Sequence, residues 1–153
     1  MTNGLQLKRL LYQLCSEHVT SGITATRQAI DNAREAADED TKSSAGDKFE
    51  TAREIMQQDI DLNTAHLGEL QKLKASLDLV DPAHHSDTVQ AGSIALTNQG
   101  NYYIAVSIGK LIANGITYYA ISPAAPLGAM LMGHKAGDTF TFNGKDFVIS
   151  KVF

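Results

Sequence analysis

A chain of 153 residues, 43% apolar and with a formal charge of −4, has room for one or two small domains and lacks the charge balance to hold DNA or RNA unaided. The opening "MTNGLQLKRLLYQLCSEH" has no apolar run of signal-peptide length, and no later stretch is apolar for long enough to span a bilayer; a cytoplasmic protein without membrane contact is expected. Cys15 is the only cysteine, which excludes an intramolecular disulfide and a multi-cysteine zinc site.

Cys15 lies among apolar residues at helical spacing and reads as a buried structural thiol rather than a nucleophile. Further along, Ile23, Thr26, Ile30, Ala33 and Ala37 form one seam of a helix, with Gly22 a place where that helix bends or restarts. A second seam runs through Phe49, Ala52, Ile55/Met56, Ile60, Leu67, Leu70, Leu73 and Leu77. Together they predict a thin antiparallel helical hairpin over residues 1–80, with its tip at about 38–47. Near the tip the seams are built largely from alanine, which buries little apolar area per residue. The tip is therefore not there for stability alone.

The stretch "AADEDTKSSAGDKFETARE" forms that tip. Asp38, Glu39 and Asp40 are placed to close the first helix, where the macrodipole disfavours negative charge, while Asp47 and Glu50 open the second, where it welcomes them. A solvated connecting loop is one account of the acids. Carboxylates presented to a hard divalent ion or a basic partner surface is the other.

After a linker at residues 81–88, part of "DLVDPAHHSDTVQAGS", the composition shifts to strand and turn residues. "SIALTN" and "YYIAVSI" flank a turn, and "IANGIT" and "FNGKDF" each carry an Asn-Gly hairpin signal. Residues 89–153 thus predict a small antiparallel sheet, and the whole chain an α+β fold. Tyr102/Tyr103 and Tyr118/Tyr119 each put one ring in and one out. Within "SPAAPLGAMLMGHKAGD", a short helix runs from Pro126 to about Met132 and stops at Gly133, with Leu127, Met130, Leu131 and Met132 read mostly as core. No catalytic constellation is evident, since His84 and His85 fall in the linker and read as solvated; the chain is not expected to be an enzyme.

"ISPAAPLGAMLMGHKAGD" followed by "FVISKV" resembles the C-terminal signature of the Gre transcript-cleavage factors (GreA/GreB), in which Ser-Pro, Leu/Ile-Gly, Leu-x-Gly with a basic residue and Gly-Asp occur in this order. "AREAAD" and "KFETARE" resemble the family's segments on either side of its hairpin tip, so the resemblance covers roughly residues 20–153. It implies a coiled coil that enters the secondary channel of bacterial RNA polymerase and an FKBP-like β domain that docks on the channel rim. It also implies tip acids that help hold Mg2+ in the polymerase's own active site during cleavage of backtracked RNA. Carried over, the tip is Asp38, Glu39 and Asp40, which would meet metal only within the polymerase complex. The docking surface is Ser122, Pro123, Pro126, Leu127 and Gly128 with His134, Lys135, Gly137 and Asp138. Contact with nucleic acid would be indirect, no cofactor of its own is implied, and a monomer is favoured.

The sequence departs from the family at the tip. There the family carries an Asp, then a Glu three residues on, within Gly-Asp-Leu-Ser-Glu-Asn. Aligned from the first arm, Asp38 and Thr41 take those places; aligned from the second arm, Lys42 and Ala45 do. A relative that occupies the channel without promoting cleavage is the alternative, and a structural coiled-coil interaction protein is the third reading. Prolyl isomerisation does not follow from an FKBP-like fold.

Overall fold

A computed structural model describes residues 4–43 and 47–153, without the side chains of residues 40–50. Helix α1 spans Gly4–Ser43 and α2 spans Asp47–Asp78. The chain divides into two compact units, His18–Lys74 and a second formed by Met1–Glu17 with Ala75–Phe153.

The His18–Lys74 unit is built on the two seams. Val19, Ile23, Thr26 and Ile30 are buried on α1 and Leu70 on α2. Ala33, Ala37, Ala52, Met56, Ile60, Leu67 and Leu73 are half-buried, while Ile55 points outward; the side chain of Phe49 lies outside the described residues. Helix α1 runs through Gly22 without interruption. A Cβ there would lie 3.2 Å from both methyls of Leu70, so this glycine makes room for a neighbour rather than a bend. Helix α1 also continues past the acidic run to Ser43. Nothing between Asp38 and Ser43 breaks a helix, and the first glycine after Gly22 is Gly46.

The second unit holds a six-stranded sheet. In chain order its strands are β1 (Ile94–Thr97), β2 (Gly100–Ile104), β3 (Gly109–Ala113), β4 (Ile116–Ile121), β5 (Thr139–Phe142) and β6 (Lys145–Val152), with α3 (Pro126–Leu131) between β4 and β5. Their spatial order is β3-β4-β2-β1-β6-β5. Asn114-Gly115 (φ 53 and 77) joins β3 to β4 and Asn143-Gly144 (φ 50 and 74) joins β5 to β6. Both are two-residue turns with positive φ throughout, the conformation Asn-Gly favours. One pairing departs from the antiparallel expectation. Strands β2 and β4 run parallel, with Tyr102 opposite Tyr119 and Tyr103 opposite Ala120. The chain makes β3 first and returns as β4 between β3 and β2, so the hairpin itself acts as the crossover.

Alternation along the strands gives the sheet two apolar faces. On one, Ile94, Tyr103, Tyr118 and Ala120 are buried, and the Tyr103 phenol lies close to Tyr12 and Cys15 of α1. On the other, Ala95, Ile104 and Ile149 form a cluster with Val89 and with Leu131 of α3, flanked by Tyr102, Ile121, Leu127, Phe140 and Val152. Tyr118 is buried and Tyr119 exposed, but in the other pair both rings pack against apolar faces, Tyr103 fully buried on one and Tyr102 half-buried on the other. The half-buried Tyr102 and the exposed Tyr119 meet with ring centroids 6.0 Å apart.

Candidate functional site

Two groups of residues are singled out by the sequence, one in each compact unit. The first is the acidic run. Asp38 and Glu39 are exposed on α1, within its last turns rather than beyond its end; the side chain of Asp40 and residues 44–46 lie outside the described residues. Asp38 lines a groove of about 560 Å³ between α1 and α2, together with Arg34, Ala37, Arg53, Gln57 and Ile60. Small Ala37 on one wall leaves the groove open. Among the described residues, no group of three His, Cys, Asp or Glu side chains is placed to hold a metal ion.

The second group surrounds α3. The Ser122 carbonyl accepts the Ala125 N–H at 3.0 Å, its Oγ accepts the Ala124 N–H at 3.1 Å, and its own N–H donates to Ser107 Oγ at 2.9 Å. This turn delivers Pro126 to the first helical position, where its missing N–H costs nothing. Gly128 then passes so close that a Cβ would sit 2.0 Å from the Ser122 carbonyl oxygen. The spacing from Ser122-Pro123 to Gly128 is therefore a packing requirement.

On the far side of α3, the "HKAGD" turn is tied into the sheet. The Val89 N–H donates to the His134 carbonyl at 2.8 Å, the Gly137 N–H to Ile149 at 2.7 Å, and the Ile149 N–H to Asp138 at 2.9 Å. Asp138 Oδ2 accepts the Lys135 N–H at 3.0 Å and lies 3.1 Å from His134 Nδ1. The His134 ring stacks on Phe140 with centroids 5.2 Å apart. The Lys135 amide, followed by His134, holds the Asp138 carboxyl below the usual carboxylate range.

A lowered native pKa means that the unfolded chain takes up this proton first. Asp138 therefore contributes stability above the ordinary carboxylate range, lost as pH falls through its native value. In Asp138→Asn, hydrogen exchange at the Lys135 amide should be faster at neutral pH and change less than wild type between pH ~5 and ~2. Equal protection and equal pH response in the two proteins would show that the carboxylate does not hold the turn.

Of the four apolar residues around α3 read mostly as core, only Leu131 is fully buried and Leu127 is half-buried. Met130 and Met132 keep 39% and 37% of their accessibility. With Pro126 they give α3 an outward apolar edge that the sequence did not separate from the core. A helix of six residues is too short for periodicity to set its phase. His84 and His85 are exposed, and His85 Nε2 lies 3.5 Å from Asp87 Oδ1. Among the described residues, no helix is long and apolar enough to cross a membrane.

No protein-family model matches the chain, and no curated protein matches it at a significant level.

Proposed function

We propose that this protein is a Gre-like transcription factor that binds bacterial RNA polymerase through its secondary channel and modulates elongation. The observation that carries the proposal is the exposure of Asp38 and Glu39 near the end of a long narrow helix pair, joined in one chain to a β unit bearing the Ser-Pro…Gly…Gly-Asp turn. From His18 to Ser43, α1 extends about 40 Å at 1.5 Å per residue. Such a helix pair carries carboxylates into a channel too narrow for a globular domain, where they add oxygen ligands to a catalytic Mg2+ already held by the polymerase. The protein then has no active site of its own, and its effect is read entirely on the partner.

The test is a transcript-cleavage assay on backtracked elongation complexes, paired with a polymerase-binding measurement. Wild type should accelerate cleavage, and Asp38→Asn/Glu39→Gln/Asp40→Asn should lose about tenfold or more of that acceleration while binding equally well. Binding without acceleration would make the protein a channel-occupying regulator. The tip's departure from the family's Asp…Glu pair favours this second reading. Absence of binding would sink both and leave a structural coiled coil.

In this reading the docking surface formed by the turns on either side of α3 extends over the outward edge of that helix, and Met130→Ser/Met132→Ser is the variant that probes this edge. These side chains are exposed enough to change without opening the core, unlike Leu127. Polymerase affinity should fall by about tenfold with an unchanged melting temperature. Equal affinity in the folded variant would move the docking surface elsewhere.

A further inference from the structure

Away from both groups, a cavity of about 340 Å³ opens beside the first turns of α1. Leu5, Ala83 and Phe153 supply apolar walls, and Lys8, His84 and His85 supply polar ones. Its size falls at the small end of ligand pockets.

Lys8 is the unusual member. The residue keeps only 3% of its accessibility, and its Nζ donates a hydrogen bond to the His84 carbonyl at 2.6 Å. Among the described residues, no carboxylate lies within ion-pair distance of it. Asp81 acts on it only at longer range, and that residue's Oδ1 already accepts the Ala83 N–H at 2.9 Å. An ammonium so buried, with no close counter-charge among the described residues, is costly, and burial pulls the Lys8 pKa below its ordinary value against the opposing effect of Asp81. Buried cations are ordinarily paired, and Lys8 is one of the residues that line this cavity.

We propose that this cavity binds a small organic monocarboxylate, its carboxylate paired with the Lys8 ammonium and its apolar body against Leu5 and Phe153. A buried lysine beside the apolar walls of Leu5, Ala83 and Phe153 favours an amphiphilic monoanion over a polyphosphate, whose several charges would have to be desolvated against those walls. The proposal is independent of the polymerase reading, since none of these residues belongs to the acidic run or to the α3 edge.

The experiment is an amide-shift titration of the full chain with benzoate, and with benzamide as the uncharged isostere. Benzoate should give saturable shifts centred on residues 4–8, 83–85 and 153, with a Kd on the order of 1 mM for so small a ligand. Lys8→Met should weaken benzoate by about tenfold or more and leave the weaker benzamide response unchanged. Shifts that do not saturate, or equal benzoate affinity in Lys8→Met, would overturn the proposal. If that variant does not fold, the wild type decides. Benzoate should raise its melting temperature more than benzamide does and show intermolecular NOEs to the Phe153 ring, and absence of both at about 10 mM ligand would overturn it equally.

Discussion

Replacing Gly128 with alanine is expected to lower the stability of the sheet-containing unit by about 3 kcal/mol, although alanine is the better helix former. The added methyl would meet the Ser122 carbonyl oxygen at 2.0 Å, its carbon at 3.0 Å and Pro123 Cα at 3.4 Å. All three atoms are backbone, so no rotamer change relieves the contact. Either the Ser122 turn opens, losing the Ala125 N–H bond, or α3 retreats and draws Leu131 away from Val89, Ala95, Ile104 and Ile149. Urea denaturation of Gly128→Ala beside Ala129→Gly separates sterics from propensity. The exposed control should lose only about 1 kcal/mol. If Gly128→Ala instead gained that amount, the close approach would not exist in solution.

Alkaline unfolding beginning near pH 9 is the second large effect, reaching about 3–4 kcal/mol by pH 12 from Cys15 alone. Burial pushes the Cys15 thiol from 9.0 up to about 12. Burial also raises Tyr103, with Cys15 and Tyr12 adding to the effect, and it raises Tyr102 and Tyr118. For a group raised in this way the unfolded chain gives up its proton first. The stability it contributes is intact below the unfolded value and drains away as pH climbs toward the folded one. Lys8 works in the opposite sense, because its native pKa is lowered and the cost of its buried charge fades as pH rises toward 10.5.

Tyr103 is the residue to change first. Its ring is fully buried, and among the described residues its hydroxyl has no hydrogen-bond partner. Tyr103→Phe removes an unsatisfied polar atom and an ionisable group in one step. Stability at pH 7 should rise by about 1 kcal/mol, with a shallower decline above pH ~10. Thermal melts across that range would show a parallel decline in both proteins if Tyr103 had no part in it.

The features readable from sequence are those written locally. Asn114-Gly115 and Asn143-Gly144 announce positive-φ turns, alternation sends the two rings of each tyrosine pair to opposite faces of the sheet, and Pro126 with Gly133 brackets α3. What escaped depends on partners distant in the chain. Hairpin signals say nothing of which strand lies beside β2, so the parallel pairing with β4 was invisible. Lys8 looks like a solvated lysine at the start of a helix until residues 81–84 cover it. The positions of Asp38 and Glu39 near the end of α1 were legible, but the extra turn to Ser43 was not, because the macrodipole is a weak preference and no helix breaker enforces it. Met130 and Met132 differ from Leu131 only by the phase of a short helix.

Met1–Glu17 and Ala75–Phe153 form one compact unit although His18–Lys74 separates them in sequence, and this shapes the route by which the chain folds. Were the intervening segment an open loop, joining its ends would carry an entropic cost of several kcal/mol before any contact repaid it. A helical hairpin is made of local contacts and forms quickly, so it closes that loop in advance. The α1 and α2 segments on which the sheet's partners depend then arrive together. Weakening the seam at Ile30 or Leu70 should therefore slow the refolding of a unit to which neither residue belongs.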